Sequence, residues 1–328
     1  MWLLLAYVAA MVLALWIQNY PIDMLERSMV ALSRKMRLSP IVAGATLIAV
    51  TSSSPEFGTA FSGVVIEKSF DIGFQVIVWS ALFNILVITG ASGIVSKKPI
   101  HIDKSLLKRD MLYYVIVIGV FGIIASDKQI ELFENVILVT VYAFYLYALI
   151  RENGSERISG DDCSKLRIIL VATSGLIGVI ILSAILVEAG VRGLYKLGGI
   201  LGMTIPLSVV ACTFWGPGTS IVDLMMSVKL ARRGHGDSAV VNGIASNTFD
   251  VAIVLGLNGL IYNALIGPIK IDLGPAKFLF SLLALSIIVV SVLLTARKNL
   301  HKLESWLLVL MFVAMLILQI VLAFTVGM

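Results

Sequence analysis

The sequence predicts an all-α, polytopic membrane protein of ten transmembrane helices in two inverted-topology repeats of five, with helices 2 and 7 broken. Three observations carry this. The 328 residues are 59% hydrophobic and 14% charged, with a mean hydropathy of +1.00, far too apolar for a soluble domain of that length. Two carboxylates stand beside helix breaks in otherwise lipid-soluble stretches: Glu56 in Ala49-Val50-Thr51-Ser52-Ser53-Ser54-Pro55-Glu56-Phe57, and Asp223 in Gly216-Pro217-Gly218-Thr219-Ser220-Ile221-Val222-Asp223-Leu224. The residues around the first break also recur around the second, five crossings later.

Hydropathy divides the chain into spans at roughly 2–20, 40–66, 72–95, 111–126, 131–150, 167–188, 197–229, 238–263, 274–296 and 304–326. The first segment, Met1 to Trp16, lacks a basic leader and a small-residue cleavage site, and reads as a retained helix rather than a signal peptide. With residue 1 outside, the loops facing the cytoplasm collect most of the Lys and Arg, leaving Lys68, Lys128, Arg192, Lys196, Lys270 and Lys277 outside. The positive-inside rule therefore favours ten spans with both termini extracellular. The net charge of +5 follows from that topology, and no basic run with interleaved aromatics points to nucleic acid. Pairing Cys163 with Cys212 would join a charged loop to an intramembrane segment, so both read as free thiols. The halves are 1–150 and 167–328, joined by a cytoplasmic linker at 151–166 rich in Glu, Asp, Gly and Ser.

The repeats lie at about 40–95 and 197–262. Gly44-Ala45-Thr46 leads into the first break and Gly202-Met203-Thr204 into the second. Each break is followed by a matching helix, Ser80-Ala81-Leu82-Phe83-Asn84 in one copy and Ser246-Asn247-Thr248-Phe249-Asp250 in the other. The carboxylate precedes the Ser by 24 residues in the first copy and 23 in the second. An odd number of crossings between the copies reverses the direction of the second, which places a site near the midplane at the repeat interface.

Ser80 and Asn84, and likewise Ser246 and Asp250, are four apart and share a helix face. Glu56, Asp223 and Asp250 supply carboxylates, Ser52, Ser53, Thr219 and Ser220 hydroxyls, and Asn84 an amide oxygen. An all-oxygen set suits a hard cation such as Ca²⁺, which takes six to eight oxygens at about 2.3 to 2.6 Å, better than Zn²⁺ or Cu. His101 and His235 fall in predicted loops and His301 at the start of the last span, away from that set. Three carboxylates cannot all stay ionised in a dry cavity without cations or protons. That requirement couples the loading of two kinds of ion and points to exchange.

Other readings attach to single residues. Glu56 as half of a buried ion pair has no Lys or Arg in the same hydrophobic span to pair with, whereas Asp250 could make a helix-packing hydrogen bond and Ser80 and Ser246 could simply pack helices. Asp71 and Asp237 start spans and read as N-caps or interface residues, Glu26 and Glu188 as solvated helix ends, and Trp2, Trp16 and Trp306 as interfacial anchors. No phosphate-binding glycine spacing and no pair of nucleophile and base suggests an enzyme, and no cofactor is implied. A channel or an ion-binding sensor is the alternative from another class.

The chain resembles the prokaryotic-type members of the cation/Ca²⁺ exchanger superfamily, closest in plan to Na⁺/Ca²⁺ exchangers, over nearly its whole length. The specific part is the pair of repeats, whose family pattern is approximately G-x-T-x-x-A-x-G-T-S-x-P-E-L followed by G-S-N-x-F-N/D, here Gly44 to Phe57 with Ser80 to Asn84, and Gly202 to Leu224 with Ser246 to Asp250. The resemblance implies a core of spans 2, 3, 7 and 8 past which the first and sixth helices slide, and an antiporter in the cell membrane that exchanges Ca²⁺ for Na⁺. H⁺ coupling or another divalent such as Mg²⁺ or Mn²⁺ is the alternative. It makes Glu56 and Asp223 the acidic ligands, Ser52, Ser53, Thr219 and Ser220 the hydroxyl ligands, and Ser80, Asn84, Ser246 and Asp250 the contribution of the facing helices. Four departures stand out. Asp223 replaces Glu and shortens the reach by about 1.5 Å, one C–C bond. Thr51 replaces Gly, Ala81 replaces Asn, and Gly202 lies 21 residues before its acid where Gly44 lies 12 before Glu56, which reads as a remodelled second break.

Overall fold

In the lipid interior a chain satisfies its backbone N–H and C=O groups only by coiling or closing on itself, and these apolar runs coil. The computed structural model describes residues 2–36, 49–101, 104–153, 164–271, 273–296 and 299–325. In chain order the elements are α1 (Trp2–Lys35), α2 (Ala49–Ser52), α3 (Ser54–Val65), α4 (Phe70–Val95), β1 (Ile100–His101), α5 (Lys104–Ile124), β2 (Gln129–Ile130) and α6 (Leu132–Asn153). They continue with α7 (Lys165–Leu201), α8 (Leu207–Thr219), α9 (Ile221–Arg232), α10 (Gly236–Leu265), β3 (Ile269–Lys270), α11 (Leu273–Ala296), β4 (Asn299–Leu300) and α12 (Lys302–Thr325). Among the described residues, eight helices are long and apolar enough to cross a membrane, or nine when α8 and α9, bent by 45°, count as one broken span. The expected span at 40–66 is described only from Ala49, so Gly44-Ala45-Thr46 lies outside the described residues, as do Cys163 and most of the 151–166 linker.

Two helices run well past their expected ends. α1 continues to Lys35 rather than residue 20, and α7 to Leu201 rather than 188, so the seventh span begins at Leu207 rather than 197. The charged residues that lower hydropathy there form (i, i+4) pairs that carry the helix onward, Arg27 with Asp23 at 2.7 Å and Arg192 with Glu188 at 2.6 Å. Glu188 is exposed as expected, but it sits inside a helix and not at its end. Asp71 and Asp237 occupy first turns, and the N-cap positions belong to Ser69 and His235. The Glu26 side chain lies outside the described residues. Trp2, Trp16 and Trp306 are exposed.

Burial separates core from periphery. The apolar windows of α4 and α10 are 89% and 72% buried, against 17% and 22% for α1 and α7, so α4 and α10 form the protein interior. α1 and α7, with spans of 31 and 36 residues, measure about 46 and 54 Å at 1.5 Å per residue, well over a hydrocarbon core of about 30 Å, and so either tilt or extend beyond it. They pack on each other where Gly175 meets Pro21 and Leu25, and the buried Gln18 side chain donates to Ser183 Oγ at 2.9 Å. Two short antiparallel pairs tie distant links: β1 with β4 (Ile100 opposite Leu300) and β2 with β3 (Ile130 opposite Ile269).

α3 approaches α7 through Gly58, where a Cβ would stand 2.6 Å from Ser183 Oγ and 2.9 Å from its Cβ. Gly58→Val is therefore expected to destabilise the protein by about 1 to 3 kcal/mol through overpacking. Gly119→Val, at a position with nothing within 4 Å, is expected to leave stability unchanged. Thermal unfolding of the two purified variants in one detergent checks the contrast, and equal midpoints would contradict it.

Candidate cation site

Both acids stand just past a break of the same shape. Ser53, between α2 and α3, has φ −89° and ψ 6°, and Ser220, between α8 and α9, has φ −80° and ψ 2°. Both lie in the sparsely allowed bridge region between helix and strand. Pro55 has no N–H for the carbonyl of Thr51, one turn back, and the Ser54 hydroxyl takes that carbonyl at 2.7 Å. At the second break the hydroxyls of Thr219 and Ser220 donate to Gly216 O at 3.0 and 3.1 Å. Hydroxyl-rich sequence at the breaks thus serves the backbone as well as the site.

Each carboxylate accepts from a serine on its facing helix. Ser80 Oγ donates to Glu56 Oε1 at 3.2 Å, and Ser246 Oγ to Asp223 Oδ2 at 3.1 Å. Each is also linked to the opposite break. Ser220 Oγ lies 3.3 Å from Glu56 Oε1 and 2.7 Å from Ser80 Oγ, while Ser246 Oγ lies 3.4 and 3.5 Å from the hydroxyls of Ser53 and Ser52. The shorter Asp223 gains the Asn242 amide at 3.4 Å, which also donates to Ser227 at 3.2 Å. Across the centre, Asn84 Nδ2 donates to Asn247 Oδ1 at 3.0 Å, and Asn247 Nδ2 to the carbonyl of Ala81 at 3.1 Å. Asn247 thus bonds the backbone of the residue that matches it in the first copy, and Ala81 leaves room for it.

All ten candidate residues, Ser52, Ser53, Glu56, Ser80, Asn84, Thr219, Ser220, Asp223, Ser246 and Asp250, are buried to 3% exposure or less. Glu56, Asp223 and Asp250 lie close enough to interact electrostatically, and no Lys or Arg forms an ion pair with any of them among the described residues. Among the described residues, four acceptor oxygens of this set have no hydrogen-bond partner: Glu56 Oε2, Asn84 Oδ1, and both oxygens of Asp250. Leaving buried acceptors unsatisfied costs about 1 to 3 kcal/mol each, more when charged, which a cation would offset. No three His, Cys, Asp or Glu side chains among the described residues stand close enough to hold a metal on their own. A cation here must share hydroxyl and amide oxygens with the acids, which fits a hard ion.

The structure also corrects the register of the second copy. Gly202 is the left-handed C-cap of α7, with φ 66°, and belongs to a turn rather than to the broken span. The breaks at Ser53 and Ser220 each stand three residues before their acid, and aligned on them the position matching Gly44 is Ala211, followed by Cys212 and Thr213. The sequence motifs gave no role to Ser227, Asn242, Tyr114 or Tyr142. Both tyrosines lie near enough to Asp250 to feel its charge. α4 and α10 each pass through a π-helical turn at this level, Phe83–Ile88 and Asp250–Leu255, which begins next to Asn84 and at Asp250 respectively.

With this geometry in hand, likeness to known proteins is specific. The sodium/potassium/calcium exchanger 1 of Gallus gallus is 32% identical over 134 residues, covering 41% of this chain and 20% of that protein, so the chain matches about a fifth of that relative's length. The sodium-calcium exchanger NCX_Mj, soaked with 10 mM Na⁺ and zero Ca²⁺, superposes with a TM-score of 0.62 at 23% identity, covering 95% of this chain and 98% of that one. The H⁺/Ca²⁺ exchanger CAX superposes with a TM-score of 0.75 at 13% identity, over 97% and 86% of the two chains. At those identities the two structures speak to fold alone. The profile of the sodium/calcium exchanger protein family matches residues 2–151 and 169–321. The chain is a multi-pass membrane protein and belongs to the sodium/calcium exchanger family of membrane transporters.

Proposed function

We propose that the protein is a secondary-active antiporter that exchanges Ca²⁺ for Na⁺ by alternating access. Its ten transmembrane helices form two inverted repeats of five, with both termini outside the cell membrane. The observation that carries this reading is the set of buried acceptor oxygens without donors at Glu56, Asn84 and Asp250, next to an Asp223 bound only by hydroxyl and amide donors. Dehydrated Ca²⁺ needs oxygens of this kind, and several Na⁺ ions would neutralise the same charge in its place. An empty site would leave uncompensated carboxylates in a medium where burying charge is costly, which opposes reorientation without cargo. Exchange follows from that penalty. The long α1 and α7, packed on the broken helices, are the elements that slide on this reading.

Reconstituted vesicles test this. A Na⁺ gradient is expected to drive ⁴⁵Ca²⁺ uptake in the wild type, and Glu56→Gln or Asp223→Asn is expected to reduce it at least about 100-fold, given a few kcal/mol lost per charged ligand. Uptake indifferent to Na⁺ but driven by a pH gradient would replace Na⁺ by H⁺. Conductance beyond the reach of alternating access, or binding without flux, would overturn the antiporter.

A second cation is favoured by a specific observation. Once a bound cation offsets burial and holds all three carboxylates ionised, with no basic partner among the described residues, one negative charge remains after Ca²⁺, and the matching relative from Gallus gallus carries potassium in its name. On this reading K⁺ travels with Ca²⁺ and closes the charge balance. Ca²⁺ uptake is then expected to rise severalfold when K⁺ replaces choline, and Asp250→Asn to remove that dependence while leaving Na⁺-driven Ca²⁺ flux measurable. Flux equal in K⁺ and choline would exclude it.

A further inference from the structure

Away from the carboxylates, where α4 ends and α9 turns into α10, lies a cavity of about 670 Å³. Its walls carry Lys97, Lys98 and His101 from one link and Arg232 and Arg233 from the other, with Asp237 at the rim. The two lysines and two arginines form no ion pair among the described residues, so four exposed cations line a space with one carboxylate. The walls are built rather than draped. Ile100 between them is buried, pairs with Leu300 in the β1–β4 ladder, and packs so closely on Gly236 that a Cβ there would stand 2.6 Å from its Cγ1. The N-terminus of α10 opens on the same space through Gly236 and Asp237, and its N-cap residue His235 makes no side-chain capping bond, leaving first-turn N–H groups for an anion. A second cavity of about 380 Å³ on the other side of Lys97 and Lys98 adds His301 and Lys302.

Cations gathered to line a concavity against a single carboxylate repel one another, and the positive-inside rule accounts for their side of the membrane but not for their convergence. We propose that this cavity binds a phosphate-bearing anion, with its phosphoryl oxygens held between Lys97-Lys98 and Arg232-Arg233. Arginine forks suit phosphoryl oxygens in bidentate fashion, and the lysines add point charge. The location gives the site leverage. α4 carries Ser80 and Asn84, α9 carries Asp223, and α10 carries Ser246 and Asp250, and the anion joins the ends of all three. A lipid headgroup and a soluble polyphosphate offer the same chemistry.

The purified full chain in phosphatidylcholine nanodiscs, titrated with inorganic pyrophosphate at constant ionic strength, tests the soluble source. Nanodiscs of equal phosphatidylcholine and phosphatidic acid test the lipid source, and the thermal unfolding midpoint is the readout for both. A rise in midpoint is expected in at least one arm, and the arm that responds names the source. In that arm, Arg232→Gln with Arg233→Gln, and Lys97→Gln with Lys98→Gln, are each expected to weaken the response at least about tenfold. Asp237→Asn is expected to strengthen it, and Lys270→Gln, at the opposite end of the fold, to leave it unchanged. The gain from Asp237→Asn keeps the test open if a double variant folds poorly. No rise in either arm, or paired variants that respond like the wild type, would overturn the proposal.

Discussion

Glu56, Asp223 and Asp250 are fully buried in this protein, and no lysine or arginine pairs with them there among the described residues. Everything at the centre of the fold responds to that. Serine hydroxyls and the Asn242 amide reach Glu56 and Asp223, while the oxygens of Asp250 receive no donor. Neutral donors screen a carboxylate without cancelling its charge, so the remaining compensation must arrive as protons or as a metal cation. The breaks at Ser53 and Ser220, the π turns in α4 and α10, and the glycine contacts that let α3 lie against α7 all bring oxygens to one level of the bundle.

The two breaks hold each other. Ser220 bonds Glu56, and Ser52 and Ser53 meet the serine that bonds Asp223, so moving either break disturbs the ligands of both acids. Asn247 fixes the crossing of α4 and α10 by bonding Asn84 and the Ala81 carbonyl together. The copies are not equivalent there. Of the matched positions 81 and 247 the second carries the asparagine, and its amide bonds the Ala81 carbonyl, which gives a physical reason for alanine at 81. The methylene missing from Asp223 has a counterpart in the Asn242–Ser227 pair, whose amide reaches the shorter acid.

Much of this was legible in the chain because the expensive residues announce themselves. A proline followed by glutamate inside an apolar run, and a second acid behind Gly-Pro-Gly, mark breaks whose cost no packing role repays, and (i, i+4) spacing was enough to pair Ser80 with Asn84 and Ser246 with Asp250. Other features were hidden for definite reasons. Hydropathy ended α1 and α7 early because it counts Asp23, Arg27, Glu188 and Arg192 as polar and cannot see that they pair along the helix. The motif Gly202-Met203-Thr204 imitated the start of a repeat, while the matching residues Ala211 and Thr213 had lost its glycine. The Asn84–Asn247 bond joins residues 163 apart, and a π turn has no side-chain signature.

The central claim is that the two breaks present Glu56 and Asp223 to one shared hard cation. Anomalous diffraction from crystals soaked in Sr²⁺ measures it most directly, because it locates the ion and its ligands together. The account predicts a peak between the two breaks, with oxygens of both acids and of the hydroxyls or amides beside them in its coordination shell, at distances of about 2.3 to 2.6 Å or slightly longer for the larger ion. A peak bound by one acid without the other, or no peak at the breaks while Sr²⁺ orders elsewhere in the protein, would contradict it.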